Sequence, residues 1–300
     1  MNKTVMQKII PHLWFDKEAK EAAGFYVEAF GNNSKITNVP TLHNTPSGDC
    51  DVMSFELFEQ PFMAISAGPL FKFNPSVSFL VACKTKEEVD LLWAKLSKGG
   101  DVLMELGEYP FSQRYGWATD KYGLSWQVIL ADEHFPFKHK ITPTLLFVGD
   151  VCGKAEEAMR FYASIFPDGK VGDIARYPAG TEPEKEGTVM HGAVIMAGQE
   201  FFAMDSAREH NFAFNEAISF MVNCNAQEEI DYYWGKLSAV PEAEQCGWLK
   251  DKFGVSWQIV PTAMAEMMSK GTPKQIDRLT QAFLPMKKLN INALRKAYEE

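Results

Sequence analysis

Residues 116–129 read GWATDKYGLSWQVI, and residues 247–260 read GWLKDKFGVSWQIV. Eight of the fourteen positions are identical. Both phrases carry D-x-x-G-x-x-W, and each sets a glutamine, Gln127 or Gln258, directly after its second tryptophan. Working outward, FKFNPSVSFLVACKTKEEVDLLWAKLS at 71–97 matches FAFNEAISFMVNCNAQEEIDYYWGKLS at 212–238 in 14 of 27 positions. Shorter echoes precede these: IPHLWF at 10–15 with TPTLLF at 142–147, FYVEAF at 25–30 with FYASIF at 161–166, and QPFMAIS at 60–66 with QEFFAMD at 199–205. The order is the same in both halves, so the chain is a tandem repeat. A cut near 136–140 gives two copies of one domain, residues 1–138 and 139–262, followed by a tail over 263–300. Each copy is long enough to hold a core of its own.

Within copy one, residues 9–15 form an apolar run suited to a strand. Ala19, Ala22, Ala23, Tyr26 and Phe30 then recur at helical spacing over 17–30. Strands are predicted over 50–58, 61–66 and 76–83, with a Gly-, Pro- and Asn-rich loop at 67–75. Thr85 opens a second helix with Glu88 three residues on, a reciprocal capping pattern. Val89, Leu92, Trp93 and Leu96 form its apolar stripe, repeated in copy two as Ile230, Tyr233, Trp234 and Leu237, and Gly99-Gly100 is its predicted end. Strands at 101–106, 114–119 and 124–130 complete the copy. The order is an α+β pattern of two βαβββ modules per copy, four in the chain. In the tail, Lys274 to Leu284 and Asn292 to Tyr298 read as helices expected to pack on copy two.

The formal net charge is −9. Residues 141–260 hold nine basic and eighteen acidic side chains, while 261–300 hold seven and four. That balance excludes nucleic acid or an anionic membrane surface as the main partner, since both demand clustered cations. No apolar run reaches the length that spans a bilayer, and no signal-peptide pattern follows the early lysines. Five cysteines with no CxxC pair suit a reducing, cytoplasmic setting.

Tandem βαβββ modules, the FY of the first helix and the closing D-x-x-G-x-x-W strand resemble the vicinal-oxygen-chelate superfamily, which includes glyoxalase I, extradiol dioxygenases and bleomycin- and fosfomycin-resistance proteins. The phrases P-x-L-x-F, FKFN, QCGWLKDKFGVSWQIVP and MKKLNINALRKAYE are similar to its PhnB-like branch, whose members are often called 3-demethylubiquinone-9 3-methyltransferases. The resemblance implies two tandem glyoxalase-like domains, each with a cupped mixed sheet, helices outside and a ligand within. It also implies a pseudo-dimer made covalent, with a further homodimer as an option.

Strand alternation then assigns the inward faces. Ile10, His12 and Trp14, with Ser125, Gln127 and Ile129, look into the cup, while Leu13, Phe15, Trp126 and Val128 meet the helices. Their counterparts in copy two are Thr142, Thr144 and Leu146, with Ser256, Gln258 and Val260. The resemblance places a His/Gln–Glu–His–Glu metal set at positions held here by Ile10, Ser76, Gln127, Thr142, Ala217 and Gln258. A divalent ion needs charged oxygen or imidazole ligands in place of its water, so neither metal nor cofactor is expected. His43, His134, His139 and His210 fall in loops or boundaries, and His191 in a strand, with no HxH or HxxxH pair.

The candidate ligand-binding residues are His12, Trp14, Trp117, Gln127, Asp205, Trp248 and Gln258. A glutamine in an apolar cup offers two donors and an acceptor to a small polar molecule. The competing reading is that each glutamine satisfies its own neighbours. The tryptophans suit a flat ligand and equally suit a core. Asp205 stands where copy one has Ser66, either as a ligand acceptor or as a strand-end cap. Cys83 and Cys224 read as small buried apolar residues. The expected function is binding of a small, partly apolar organic molecule without the usual metal. The alternative is a vicinal-oxygen-chelate enzyme of lyase, dioxygenase or thiol-transferase type. Methyl transfer is the least favoured, because no Gly-rich nucleotide-binding turn occurs.

Overall fold

A computed structural model of the chain describes residues 7–45, 47–131 and 139–300. The cut near 136–140 and His134 fall wholly or partly outside them. Copy one runs β1 (Ile9–Phe15), α1 (Ala19–Phe30), β2 (Lys35–Asn38), β3 (Thr41–Thr45), β4 (Gly48–Leu57) and β5 (Gln60–Ser66), then β6 (Val77–Cys83), α2 (Lys86–Leu96), β7 (Val102–Tyr109), β8 (Ser112–Thr119) and β9 (Ser125–Leu130). Copy two runs β10 (Ile141–Phe147), α3 (Ala155–Ile165), β11 (Lys170–Arg176), β12 (Val189–Met196) and β13 (Gln199–Asp205), then β14 (Ile218–Cys224), α4 (Gln227–Leu237), β15 (Trp248–Lys250) and β16 (Ser256–Pro261). The tail holds α5 (Thr262–Lys270), α6 (Pro273–Phe283) and α7 (Ile291–Glu299). The chain is α+β, with two eight-stranded mixed sheets.

The copies are repeats in sequence, but the packing units are not the copies. One compact unit contains the chain up to Lys72 together with Asn215–Glu300; the other is Phe73–Phe214. In the first unit the strand order is β15-β16-β14-β1-β5-β4-β2, with β3 on β4. In the second it is β11-β12-β13-β10-β6-β9-β8-β7. The joint is the first strand of a module: β1 pairs antiparallel with β14, and β6 with β10. Each sheet is thus built from one module of each copy. A four-stranded module leaves the edge of its first strand unpaired, and an open edge seeks a partner. Here that partner is a module of the other copy.

Each sheet has two unlike faces. The outer one, carrying Leu13, Phe15, Phe62, Ala64, Phe220 and Trp257 in the first unit, is 0–3% solvent-exposed. It packs on α1 and α4, whose buried stripes include Ala22, Ala23, Tyr26, Ile230 and Tyr233. Trp93 of α2 lies over β8, where a Cβ on Gly116 would come within 2.5 Å of the indole. Glycine is therefore required there on space alone. The D-x-x-G-x-x-W phrase is a turn held by one buried carboxylate. Asp251 accepts Phe253 N (2.9 Å), Val255 N (3.0 Å) and the indole N–H of Trp257 (2.9 Å). Asp120 does the same for Tyr122, Leu124 and Trp126. Gly123 and Gly254 take the positive φ that the turn needs (86° and 89°).

Boundaries differ from expectation where tertiary partners decide them. The α1 helix starts at Ala19 rather than 17, and neither it nor α3 has a side-chain cap of its own. The reciprocal cap on α2 is shifted: Thr85 accepts Glu88 N (3.1 Å), but Glu88 reaches back to Lys84 N (2.7 Å) and also pairs with Lys140. That helix ends at Leu96, with Ser97 Oγ on Trp93 O (2.8 Å), before the Gly pair. Strands β2, β3 and β11 carry no clean alternation, and α5 begins directly at the end of β16, so the sequence reading passed over all four.

The two copies diverge between the second helix and the closing hairpin. Leu96 and Trp117 are 21 positions apart, whereas Leu237 and Trp248 are 11 apart, and copy two has no counterpart of β7. The tail fills that edge. Cys246 N donates to Met286 O (2.6 Å) and Gly247 N to Lys287 O (2.7 Å). Gln227 of α4 joins Leu289 O and Ile291 N (3.2 and 2.9 Å). The tail thus packs on copy two and also, through α6, on β3 of copy one, around Leu279, Phe283, Leu294 and Leu42.

Candidate ligand-binding cup

Cross-strand register fixes which side chains share the inner face. In the first unit His12 lies opposite Met63 and Ser219, Trp14 opposite Ile65, Met221 opposite Gln258, Gln258 opposite Trp248, and Ser256 opposite Ser219 and Lys250. In the second unit Thr144 lies opposite Phe202 and Ser78, Thr142 opposite Leu80, and Gln127 opposite Leu80 and Trp117. Inner-face positions such as Ile10, Met221, Gln258, Leu80 and Ile129 keep 6–7% exposure. Their outer-face neighbours are sealed, so the inner face is the side that water still reaches.

The two glutamines have different surroundings. Gln127 donates to Ser78 Oγ (2.8 Å) and accepts from the Tyr115 hydroxyl (2.7 Å). Burial raises the Tyr115 pKa, keeping the phenol protonated as a donor. Gln258 donates likewise to Ser219 Oγ (2.9 Å). In copy two, however, the tyrosine position is Cys246, whose thiol turns to Leu284 O (3.2 Å) in the tail. The amide oxygen of Gln258 therefore lacks the tyrosyl donor that occupies Gln127. Tyr115 was not among the expected site residues, although the Tyr115/Cys246 difference is readable from the aligned copies.

The tryptophans differ in the same way. Trp117 Nε1 donates to Ser125 Oγ (2.7 Å). Its counterpart Trp248 makes no such bond: Ser256 Oγ is buried without a partner. The Trp248 ring stands edge-to-face against His12 (5.5 Å, 87°) and Trp14 (6.0 Å, 79°) instead. Trp14 is pinned by its indole N–H on Gly68 O (2.7 Å) and by Phe71 (5.1 Å). His12 is buried, its Nδ1 has no partner, and burial lowers its pKa from 6.5 to about 4. At neutral pH it is an uncharged imidazole inside the cup.

His12, Trp14, Trp248 and Gln258 thus gather in the first unit, and Trp117 and Gln127 in the second. Asp205 joins neither. It lies opposite Phe147 on the sealed face, and its oxygens accept Gly153 N (2.7 Å), Ala155 N (3.1 Å) and Val189 N (2.9 Å). It supplies the missing cap of α3, as Ser66 Oγ does for Ala19 N of α1 (3.2 Å). These contacts are those of a strand-end cap. Burial raises its pKa despite the three N–H donors. Burial also pushes the Cys83 and Cys224 thiols up to about 12, away from nucleophilic use. In the second unit, Thr142 and Thr144 hydroxyls are buried without partners, and His191 packs on Phe202 (4.6 Å).

A divalent ion does not fit this donor set. The positions that would carry its ligands hold Ile10, Thr142, Ser76, Ala217 and two neutral amides, and no group of three His, Cys, Asp or Glu side chains lies together among the described residues. An isolated neutral imidazole and an amide do not offset the dehydration of a divalent cation.

Comparison with known families decides the relationship. The family described as 3-demethylubiquinone-9 3-methyltransferase matches residues 7–129 and again 139–260. The chain belongs to that family. A PhnB protein from Bacillus cereus, described by the same methyltransferase term, is 41% identical over 42% of this chain and all of its own (TM-score 0.39). A glyoxalase I mutant from Zea mays shares 12% identity over 87% of this chain and 96% of its own, with a TM-score of 0.52. A fosfomycin resistance protein, FosX, from Listeria monocytogenes is 14% identical over 41% of this chain and 91% of its own (TM-score 0.33). No curated protein matches. The likeness to the maize structure shows that this chain has a glyoxalase-like fold. Among the described residues no helix is long and apolar enough to cross a membrane.

Proposed function

We propose that the chain binds a small, partly apolar organic molecule on the inner face of the first unit, against Trp14 and Trp248, with His12 and Gln258 receiving its polar groups. One observation carries the reading. The buried glutamine of this cup lacks the tyrosine that occupies its twin, and a buried imidazole beside it has an unpartnered nitrogen. Buried polar atoms without partners are costly, and a ligand supplies what the fold leaves out. In the second unit Tyr115 already occupies the glutamine, and the buried unpartnered atoms are the Thr142 and Thr144 hydroxyls, with no bare buried imidazole among the described residues.

The test is tryptophan-fluorescence titration with a panel of small hydroxylated aromatics, read on the unaltered chain and on His12→Phe, Gln258→Leu and Gln127→Leu variants. Binding lost in the first two and kept in the third supports the proposal. Equal binding in all four refutes it. A second reading is an enzyme of the vicinal-oxygen-chelate type, favoured by one feature: a neutral His12 with a bare Nδ1 is able to take a proton from a bound substrate. Turnover that disappears in His12→Phe, in protein whose elemental analysis shows no stoichiometric metal, would support that reading over simple binding.

A further inference from the structure

The duplicated chain contains its own comparison structure, and one pair of matched residues breaks the match. In copy one the indole N–H of Trp117 sits on Ser125 Oγ at 2.7 Å. In copy two the same tryptophan and the same serine are present, opposite the same glutamine, yet Ser256 Oγ is buried and bare. Trp248 leans on His12 and Trp14, and His12 Nδ1 is also buried and bare. Two unsatisfied polar atoms therefore flank one displaced ring. In copy one the matched ring bonds the matched serine, the partner that Ser256 lacks in copy two.

From this we infer that Trp248 stands in the ligand's place: the cup takes a planar, uncharged molecule of about indole size carrying a hydroxyl, which replaces the Trp248 ring against His12 and Trp14 while Ser256 receives the displaced indole N–H. The inference rests on the function proposed above and adds the ligand's chemistry and a positioning residue. Planarity follows from the ring the ligand replaces and from the edge of Trp14 that it meets. A hydroxyl follows from His12, because it donates to or accepts from Nδ1 in either neutral tautomer. Lack of charge follows from the surroundings: the lysines that register places on this face, Lys250 and Lys35, are already paired, with Glu216 at 2.8 Å and Glu56 at 3.2 Å. Ser256 touches no ligand. Its role is to hold the open position, so its removal weakens binding without weakening the unliganded fold.

The test uses 2-naphthol, uncharged at neutral pH, and naphthalene as the ring without the hydroxyl. Ser256→Ala is expected to bind 2-naphthol about fivefold to tenfold more weakly, the loss of one hydrogen bond in the bound state, with its unliganded melting temperature unchanged or raised, since the hydroxyl it removes is buried without a partner. Trp248→Phe cannot make that bond, so adding Ser256→Ala to it should change affinity no further. In protein labelled with 5-fluorotryptophan, the resonance lost in Trp248→Phe should shift when 2-naphthol is added. Wild-type affinity in Ser256→Ala, or an unmoved Trp248 resonance at saturation, overturns the displacement while leaving the site itself standing. Undiminished binding to His12→Phe, or naphthalene binding as tightly as 2-naphthol, overturns the ligand assignment and with it the site.

Discussion

Replacing Gln127 by leucine removes the amide and leaves two partners stranded, the Tyr115 hydroxyl and Ser78 Oγ, both on residues at most 4% exposed. Each buried orphan costs about 1–3 kcal/mol. The new leucine offsets about 1 kcal/mol through apolar burial, so the net loss of two orphans is about 1–5 kcal/mol. Tyr115→Phe strands only the amide oxygen and should lose about 1–3 kcal/mol. The double variant strands only Ser78, so its loss falls short of the summed single losses by the two orphans it avoids, about 2 kcal/mol or more. Gln258→Leu strands only Ser219 and should lose less than Gln127→Leu. The assay is urea unfolding at neutral pH by tryptophan fluorescence. Trp93, Trp117 and Trp126 report the second unit, and Trp14, Trp234, Trp248 and Trp257 the first. Because two units need not unfold together, each variant should shift the transition of its own unit. Strict additivity of Tyr115→Phe and Gln127→Leu, or a larger loss for Gln258→Leu, would refute the claim that the two cups differ through Tyr115.

Other consequences follow from the same contacts. The folded-state pKa of His12, about 4, lies below its unfolded value of about 6.5. The unfolded chain therefore binds a proton that the native chain refuses, and stability falls as pH drops from about 6.5 to about 4, by about 3 kcal/mol in all. Urea midpoints of His12→Gln should lack that part of the acid slope; an identical slope would contradict a buried neutral imidazole. Asp205→Ala removes the acceptor of three backbone N–H groups and should lose about 2 kcal/mol or more, whereas Asp205→Ser, the solution used at Ser66, should lose less. Asp251→Ala should destabilise the first unit by about 3 kcal/mol or more, since it frees two buried amides and the Trp257 indole; thermal melts of the two aspartate series check both statements.

The fold was legible because the repeat is written in residues with local jobs. Asp120 and Asp251 fix their turns within six positions, and β1, β6, β9 and their copies stand out as short, largely apolar runs. Strand parity alone also placed His12, Trp14, Gln127 and Gln258 on inner faces. What stayed hidden depends on distant partners. The pairing of β1 with β14 leaves no trace in either strand, because an antiparallel edge accepts any apolar neighbour of matching pattern. Asp205 looked like a candidate ligand group because the helix it caps lies fifty positions away. The different fates of Gln127 and Gln258 turn on Tyr115 and Cys246, and the meaning of that difference appears only once the tail is seen to claim the cysteine.

The joint between β1 and β14 has a consequence for synthesis on the ribosome. β1 cannot find its neighbour until Ile218–Cys224 has been made, whereas Phe73–Phe214 emerges as one uninterrupted stretch. The inner segment is thus positioned to finish first, while the early strands wait with an open edge that is prone to wrong partners. Closing so long a loop is slow compared with local pairing. The half of the molecule proposed to hold the ligand is therefore the last to be completed.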